Sequence, residues 1–284
     1  MNRVKLKAML EPFFIEDIGD MDITTDMLFD PDAQGSLKLM AKANGFFCGE
    51  HVINEGFHTI DPSLSILIER RDGEEVRYGE VIAVITGAVS SLLKGERVVL
   101  NLIQRMSGIA SKTASFVKRI EGTGAKICDT RKTTPGLRML EKYAVRCGGG
   151  YNHRMGLADS VLIKDNHIDF AGSITRAVNE IKGKIGHTVK IEVEIETKEQ
   201  LMEAIEAGVD IIMFDNRTPS EIKEWLSIVP SGIATEASGG ITLENIRDYA
   251  LSGVDYISLG CLTHTIEAFD ISAKVKNRKT VMEA

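Results

Sequence analysis

The chain has 284 residues, of which 43% are hydrophobic and 26% charged, and its formal net charge is −7. These proportions are those of an ordinary globular protein with one large or two modest domains, and they argue against disorder over most of the chain. The acidic balance and the 6% of aromatic residues argue against a nucleic-acid-binding surface.

The first hundred residues contain strand-like runs separated by turn residues, which predict a small, separate α/β layer. The runs are GSLKLMAKANGFFCGEHV, SLSILIERRDGEEV and EVIAVITGAVSSLL. The segment from Gly95 to Ile120 has helical spacing and is predicted to bridge this layer and a second domain, with a boundary near Ser107 to Ala110.

From residue 125 onward, short apolar runs alternate with helix-like segments, which predicts a parallel sheet. The runs are AKICDT, SVLIKD, VKIEVEI, DIIMFDN, IATEASGG and YISLG. Almost every run ends in a polar residue or glycine, as strands do at the catalytic face of an α/β barrel. No GxGxxG turn follows a strand, which disfavours an open dinucleotide-binding sheet. About six repeats, where a complete barrel has about eight, predict an incomplete α/β barrel.

Cationic side chains gather between Asp129 and His167, although the chain as a whole is acidic. They are Arg131, Lys132, Arg138, Arg146, His153, Arg154 and Lys164. Such a cluster predicts a pocket for a small polyanion, because Arg binds carboxylate or phosphate through two parallel hydrogen bonds and Lys supplies a point charge. The alternative is that Arg131 and Lys132 are solvated cations that pair with Asp129 or Glu141.

Two further features of this stretch have more than one interpretation. Gly148, Gly149 and Gly150 allow backbone amides to approach an anion, but they are equally typical of a turn after a helix. Lys164 closes an apolar strand, so it is predicted to bind phosphate; it could also form a Schiff base with a carbonyl substrate or an ion pair with Asp165.

Carboxylates and small residues follow the later strands. Glu192 and Glu194 project to one side of their strand and Asp215 ends the next, so they could hold a divalent metal or sugar hydroxyls, or merely neutralise the cations. Ser-Gly-Gly at 238–240 and Ser-Leu-Gly-Cys at 258–261 precede helix-like segments, where exposed amides can receive a phosphate.

The four cysteines stand far apart without a CxxC pair, which removes the usual zinc spacing and a disulfide framework. They are Cys48, Cys128, Cys147 and Cys261. Reduced thiols and a cytoplasmic location are therefore expected. The N-terminal segment lacks a signal-peptide cleavage site, and no window approaches the roughly 18 apolar residues that a membrane span needs.

Taken in order, these motifs resemble those of the quinolinate phosphoribosyltransferases, from about residue 10 to residue 270. The stretches that carry the resemblance are GERVVLNLIQRMSGIAS, DTRKTTPGLRMLEKYAVRCGGGYNHRMGL, IKDNHI, EVEIET, FDN, EASGGI and SLGCLTH. The resemblance implies transfer of phosphoribosyl from phosphoribosyl pyrophosphate (PRPP) to quinolinate with decarboxylation, which gives nicotinate mononucleotide for NAD biosynthesis. Magnesium is the implied cofactor.

The resemblance also implies a domain division and an assembly. An N-terminal α/β sandwich domain with a helical lead-in would span residues 1–108, an incomplete α/β barrel 109–270, and a tail that packs back on the N-terminal domain 271–284. The protein would be a homodimer in which the sandwich domain of one subunit covers the barrel mouth of its partner. Arg97 would then reach the neighbouring active site.

The same resemblance assigns roles to individual residues. Quinolinate would be bound by Arg131, Lys132, His153 and Arg154. The PRPP and magnesium side would comprise Lys164, Glu194 and Asp215, with Glu194 and Asp215 as metal ligands. The 5-phosphate end would comprise Ser238, Gly239, Gly240, Ser258, Gly260 and Cys261, where alanine is common in relatives at position 261. Thr130 completes the substrate-binding set, and the catalytic residues would be Lys132, Lys164, Glu194 and Asp215.

Three alternative functions stay open from the sequence. A paralogue of the molybdenum-transport-associated pyrophosphorylase-like type shares much of the barrel but need not use quinolinate. A Schiff-base lyase would use Lys164 as its nucleophile. A non-catalytic anion-binding protein would bind PRPP without turnover.

Overall fold

A computed structural model describes residues 1–277, which form two compact units. The first unit comprises Met1–Lys112, Met139–Gly149 and the described residues from 266 onward; the second comprises Thr113–Arg138 and Gly150–Thr265. The domain boundaries predicted at 108 and 270 remain predictions. The helical segment 139–149 groups with the N-terminal residues, and of the predicted tail 271–284, residues 278–284 lie outside the described residues.

The elements of the N-terminal part run up to the long helix α4. In chain order they are α1 (Arg3–Ile18), α2 (Ile23–Leu28), β1 (Gln34–Ala41), β2 (Gly45–Phe46), α3 (Glu50–Ile60), β3 (Ser65–Ile68), β4 (Glu75–Val76), β5 (Val81–Ala88) and α4 (Val89–Arg119). The helix predicted from Gly95 to Ile120 is thus present and begins six residues earlier, at Val89.

The remaining elements alternate strand and helix up to the final strand. They are β6 (Lys126–Cys128), α5 (Arg138–Cys147), β7 (Val161–Ile163), α6 (Asp165–Ala171), α7 (Ile174–Lys182), β8 (Ile191–Ile195), α8 (Lys198–Glu206), β9 (Ile211–Asp215), α9 (Pro219–Leu226), β10 (Ala234–Ser238), α10 (Ile246–Leu251), β11 (Tyr256–Ser258), α11 (Cys261–His264) and β12 (Ile271–Asn277).

The first unit is built on a four-stranded antiparallel sheet with the strand order β12-β1-β5-β3. Burial alternates along β1, where Leu37, Leu39 and Ala41 are fully buried, so one face of this strand packs into the core. The last described strand, β12, pairs antiparallel with β1 from Ile271 to Asn277. The predicted N-terminal α/β layer is therefore confirmed, with a strand that the sequence pattern did not reveal.

The second unit contains a six-stranded parallel sheet with the strand order β6-β11-β10-β9-β8-β7. Its strands coincide with the six predicted runs, and β8 is buried at four of five positions, as expected for a strand covered on both faces. Within residues 1–277, the edge strands β6 and β7 do not pair, so the sheet stays open. The prediction of an incomplete, six-stranded α/β barrel is confirmed.

The register of the parallel sheet brings the predicted site residues to one edge. Ser238 at the end of β10 lies opposite Asp215 on β9 and Ser258 on β11. The carboxyl ends of neighbouring parallel strands therefore form one rim, where ligand sites of such sheets occur. None of the helices in the described part of the chain is long and apolar enough to span a membrane.

Candidate active site

The carboxyl ends of the second unit's strands surround a cavity of about 480 Å³. Twelve of the predicted site residues line it: Thr130, Arg131, Lys132, His153, Arg154, Lys164, Glu194, Asp215, Ser238, Gly239, Gly240 and Ser258. Leu162, Met213, Asn216 and Glu236 also line the cavity, although the sequence analysis did not single them out. The fold thus brings residues from six strand ends to one cavity.

Arg131 and Lys132 lie in a turn whose backbone is held by several hydrogen bonds. The Lys132 amide donates to Thr130 Oγ1 at 3.0 Å, and Thr263 Oγ1 donates to the Lys132 carbonyl at 2.8 Å. Arg138 Nε donates to Thr133 Oγ1 at 3.0 Å on the other side of the turn. Both cations line the cavity from this anchored turn, and both are exposed.

The three glycines before His153 form the predicted turn. The Gly148 and Gly149 amides donate to the carbonyls of Ala144 and Arg146 at 3.0 Å, and Gly149 has φ +85°, a conformation that glycine adopts at little cost. These two amides therefore complete helix α5. The turn interpretation, and not an anion contact, accounts for them.

His153 and Arg154 are oriented by buried polar groups. The Asp129 carboxylate accepts from the His153 amide at 2.9 Å and from Asn152 Nδ2 at 2.5 Å, and Arg154 Nη1 donates to the Ser160 carbonyl at 3.0 Å. Burial lowers the pKa of Arg154, and the neighbouring positive charge of Arg131 lowers it further. Both effects disfavour the charged guanidinium and would be relieved by an anionic ligand.

Arg154 also has an unsatisfied donor. Its Nε atom is buried and finds no hydrogen-bond partner among residues 1–277. A buried N–H without a partner costs about 1–3 kcal/mol, so native structures rarely leave one unless a ligand or water completes it. Arg154 lines the cavity, so a bound ligand or a water there is the candidate to complete this donor.

Lys164 forms an ion pair with Glu194 across the ends of β7 and β8. The alternative partner considered from the sequence, Asp165, instead accepts from the Asn166 amide at 2.7 Å. Lys164 is also the N-cap residue of α6, so its backbone position is fixed by the helix that follows. The amine and the carboxylate are thus held together at the rim of the cavity.

The end of β9 explains why a glycine directly follows β10. Asn216 has φ +52°, in the left-handed region that asparagine tolerates better than most residues, and its Nδ2 donates to Asp215 at 2.7 Å. Gly239 has φ +92°, and a Cβ on it would lie 2.9 Å from the Asn216 backbone nitrogen. Gly239 therefore has both a conformational and a steric reason to be glycine.

A buried carboxylate pair, Glu192 and Glu236, lies at the cavity wall, and Glu236 is part of the lining. His153 Nε2 is 3.1 Å from Glu192 and 3.6 Å from Glu236, and the Ser258 hydroxyl donates to Glu236. Burial raises the pKa of Glu236 to about 7, and the negative charge of Glu192 contributes. Glu236 was missed from the sequence because it lies inside an apolar strand; a carboxylate at an inward position of that strand was the available signal.

The titration of Glu236 predicts a pH dependence of stability. Its ordinary pKa is 4.5, so between about pH 4.5 and pH 7 the folded chain holds a proton there that the unfolded chain has lost. The free energy of unfolding should therefore fall as pH rises through this range, by about 3 kcal/mol for this group. Glutamine at position 236 does not titrate, so the urea midpoint of the Glu236→Gln variant should not show this fall between about pH 4.5 and pH 7. The exposed Glu199→Gln should retain it, and an unchanged slope in Glu236→Gln would contradict the assignment.

Three predicted site residues do not line the cavity. Gly260 packs against Lys132, whose Cδ would lie 3.0 Å from a Cβ at position 260, and Cys261 begins the short helix α11. Arg97 lies on α4 in the first unit, where its Nη2 is 3.8 Å from Glu96 and its side chain is 59% exposed. The roles predicted for these three residues remain predictions.

Comparison with known proteins supports the same family along nearly the whole chain. The family model for the quinolinate phosphoribosyl transferase N-terminal domain matches residues 22–107, and that for the C-terminal domain matches residues 109–274. A probable nicotinate-nucleotide pyrophosphorylase [carboxylating] from Bacillus subtilis is 52% identical over 275 residues, which cover 97% of this chain and 95% of that protein.

More distant relatives and solved structures indicate the same family. Quinolinate phosphoribosyltransferase [decarboxylating] 1b from Nicotiana tabacum is 37% identical over 95% of this chain and 82% of its own length. The crystal structure of NadC from Streptococcus pyogenes superposes with a TM-score of 0.94 at 37% identity, over 97% of this chain and 98% of that one. The structure of the nicotinate-nucleotide pyrophosphorylase from Francisella tularensis superposes with a TM-score of 0.93 at 38% identity, over 97% of this chain and 98% of that one. The chain belongs to the quinolinate phosphoribosyltransferase family.

Proposed function

We propose that this enzyme transfers phosphoribosyl from PRPP to quinolinate and releases pyrophosphate and carbon dioxide, giving nicotinate mononucleotide for NAD biosynthesis. The observation that carries the assignment to this cavity is the pair of guanidiniums, Arg131 and Arg154, beside an unsatisfied Arg154 donor. Quinolinate has two carboxylates, and a site without clustered cations would repel it. Arginine matches carboxylate geometry through paired hydrogen bonds.

The reaction makes distinct demands on the two sides of the cavity. On the cationic side, Arg131, Lys132 and Arg154 would orient quinolinate so that its ring nitrogen attacks the ribose carbon as pyrophosphate departs. On the acidic side, Glu194 and Asp215 would stabilise the positive charge that develops on the sugar or hold its hydroxyls. Orientation of two bound reactants can supply about 7–11 kcal/mol in favourable cases.

Decarboxylation follows from the formation of the bond between the ring nitrogen and the ribose carbon. The alkylated ring nitrogen carries a positive charge, which stabilises the carbanion left when the adjacent carboxylate departs as carbon dioxide. The residues needed are therefore those that bind and neutralise charge. The buried Glu192–Glu236 pair would keep the His153 ring in position at the quinolinate side.

The acidic side of the cavity has a donor set suited to magnesium. Glu194 and Asp215 present carboxylates at the ends of neighbouring strands, and Mg²⁺ is usually held by one or two carboxylates, waters and substrate phosphates. When bound, Mg²⁺ would take up charge on the departing pyrophosphate. The ion would arrive with PRPP, and Lys164 would remain beside Glu194 to bind phosphate.

The alternatives considered from the sequence are less consistent with this site. A Schiff-base lyase needs an amine that is free to attack a carbonyl carbon, whereas the Lys164 amine is held in an ion pair with Glu194. A paralogue with another substrate would not require every predicted quinolinate ligand, yet Arg131, Lys132, His153 and Arg154 all line the cavity. Cytoplasmic location stays a prediction from the dispersed cysteines.

The test is product formation from quinolinate, PRPP and magnesium. Nicotinate mononucleotide, pyrophosphate and carbon dioxide should appear in equal amounts, and nicotinate supplied in place of quinolinate should give little product. Binding of PRPP without turnover would favour the non-catalytic alternative. Turnover of another anionic heterocycle, but not of quinolinate, would favour a paralogue.

We further propose that the enzyme acts as a homodimer in which Arg97 completes the partner's site. Arg97→Ala and Lys164→Ala proteins should each be nearly inactive. In a randomly mixed sample, half of the dimers are mixed and each has one intact site, so activity should recover to about one quarter of the wild-type value. No recovery in mixed dimers, verified by two different affinity tags, would contradict contribution across the interface.

A further inference from the structure

Three potential metal ligands from distant segments meet in the first unit, outside the catalytic cavity. Cys48 follows β2, Asp72 lies in the turn between β3 and β4, and Cys147 is the last residue of α5. One ligand atom from each lies within 4.8 Å of those of the other two. The roles discussed above for the transfer reaction involve none of these side chains.

The protein holds this cluster, termed here the Cys48 cluster (Cys48, Asp72 and Cys147), in place. Ser107 Oγ accepts from the Cys48 amide at 3.0 Å and donates to the Cys48 carbonyl at 3.2 Å, which fixes the backbone of the most deeply buried member. A Cβ on Gly73, next to Asp72, would lie 3.2 Å from the Cys147 carbonyl oxygen, so the turn packs closely on the end of α5.

The Asp72 carboxylate is oriented as a metal-binding carboxylate usually is. Its Oδ1 accepts from the amides of Gly49 and Glu50 at 2.6 and 2.9 Å, where it caps helix α3, and its Oδ2 accepts from the Tyr143 hydroxyl at 2.7 Å. Hydrogen bonds of this kind orient carboxylate ligands and are part of a functioning metal site. Oδ2 accepts one hydrogen bond only and retains a lone-pair direction in which it can bind a cation.

The charges around the cluster favour a cation. The Asp72 carboxylate lies in it, and Cys147 is the last residue of α5, where the helix dipole is negative. A divalent cation bound there would deprotonate the coordinating thiols outright.

We propose that Cys48, Asp72 and Cys147 bind one Zn²⁺ ion. Two sulfur–zinc bonds and one oxygen–zinc bond form, two S–H bonds break, and both protons pass to solvent, so no oxidant or reductant is involved. Zinc–sulfur bonds of about 2.3 Å place two sulfurs about 3.8 Å apart, which requires at most a small adjustment from the present spacing. Water would occupy the fourth position, because Asp72 and Cys147 are only half-buried.

The ion would be structural. It would join three segments that are far apart in the sequence, and it would stabilise the folded chain because the unfolded chain has no such site. Since the site is built from the first unit alone, its occupancy is independent of whether the proposed transfer reaction takes place.

The experiment is metal binding to chelator-treated, reduced protein, with Zn²⁺ titrated against a chromophoric chelator and Co²⁺ as a spectroscopic probe. We expect one Zn²⁺ per chain, a rise in Tm and release of about two protons per ion. Cobalt should show a thiolate-to-metal charge-transfer band. That band separates this site from His153, Glu192 and Glu236, a second cluster of three potential ligands within 4.8 Å, which has no sulfur.

Variants identify the ligands. Cys147→Ser and Cys48→Ser should each weaken the cobalt charge-transfer band, because one thiolate ligand is lost, and lower zinc affinity. Asp72→Asn, which keeps the capping oxygen, should lower zinc affinity by about tenfold or more. Cys128→Ala, at a buried cysteine outside the cluster, is the matched control and should bind as wild type. A cobalt complex without the thiolate band, or unchanged zinc affinity in a folded Cys147→Ser protein, would overturn the proposal.

Discussion

Replacing Arg131 with alanine should reduce kcat/KM for quinolinate by about two orders of magnitude or more, while the chain stays folded. A bidentate contact with a substrate carboxylate comprises two charge-assisted hydrogen bonds, each worth about 1.5–3 kcal/mol, and each 1.36 kcal/mol corresponds to a tenfold change. Arg131 lines the cavity from an anchored turn, so no other side chain can easily take its position. Steady-state kinetics with each substrate varied in turn is the measurement.

The pattern of kinetic effects distinguishes ligand binding from a general loss of charge. KM for PRPP should change far less than KM for quinolinate, and Arg131→Lys should recover only part of the activity because lysine lacks the planar fork. Arg176→Ala is the matched control, since Arg176 lies on the exposed surface of α7 and pairs with Glu180. Wild-type kinetics in Arg131→Ala would remove this residue from the quinolinate site.

The six barrel strands and most of the cavity lining could be predicted because two local signals coincide in a parallel sheet. Buried strands are continuous apolar runs, as in residues 211–214 of β9, and their carboxyl ends carry the functional residues. Lys164, Glu194 and Asp215 were therefore located from their positions at or near the ends of three predicted strands, and all three line the cavity.

The features that were missed depend on contacts between distant segments. Glu236 lies within β10, and only the fold reveals that Glu192 and His153 surround it. The resemblance implied that the tail packs on the N-terminal domain, but it did not indicate strand β12. The pairing of β12 with β1 joins residues more than 200 positions apart, so no local periodicity in the sequence predicts it. The cysteines illustrate the same limit, because the absence of a CxxC pair in the sequence did not reveal that Cys48 and Cys147 meet.

Substituting alanine for Gly108 should destabilise the chain more than most single changes, by about 3 kcal/mol or more. Gly108 lies inside α4, and a Cβ there would be 2.1 Å from the Glu267 carbonyl oxygen and 3.3 Å from the Phe269 amide nitrogen. Both neighbours are backbone atoms, so no rotamer change can relieve the overlap. The Phe269 amide also donates to the Gln104 carbonyl at 2.9 Å, which holds this segment against the helix.

Helix propensity acts in the opposite direction and decides how informative the result is. In a helix interior, alanine is more favourable than glycine by about 1 kcal/mol, so without the overlap Gly108→Ala would stabilise the protein. Overpacking typically costs about 1–3 kcal/mol, and more where backbone must move. Urea unfolding should therefore give a lower midpoint for Gly108→Ala. Gly124→Ala, with no atom within 4 Å of its Cβ, should stay within about 0.5 kcal/mol of wild type. A stabilised Gly108→Ala protein would mean that the segment leading into β12 does not pack on α4.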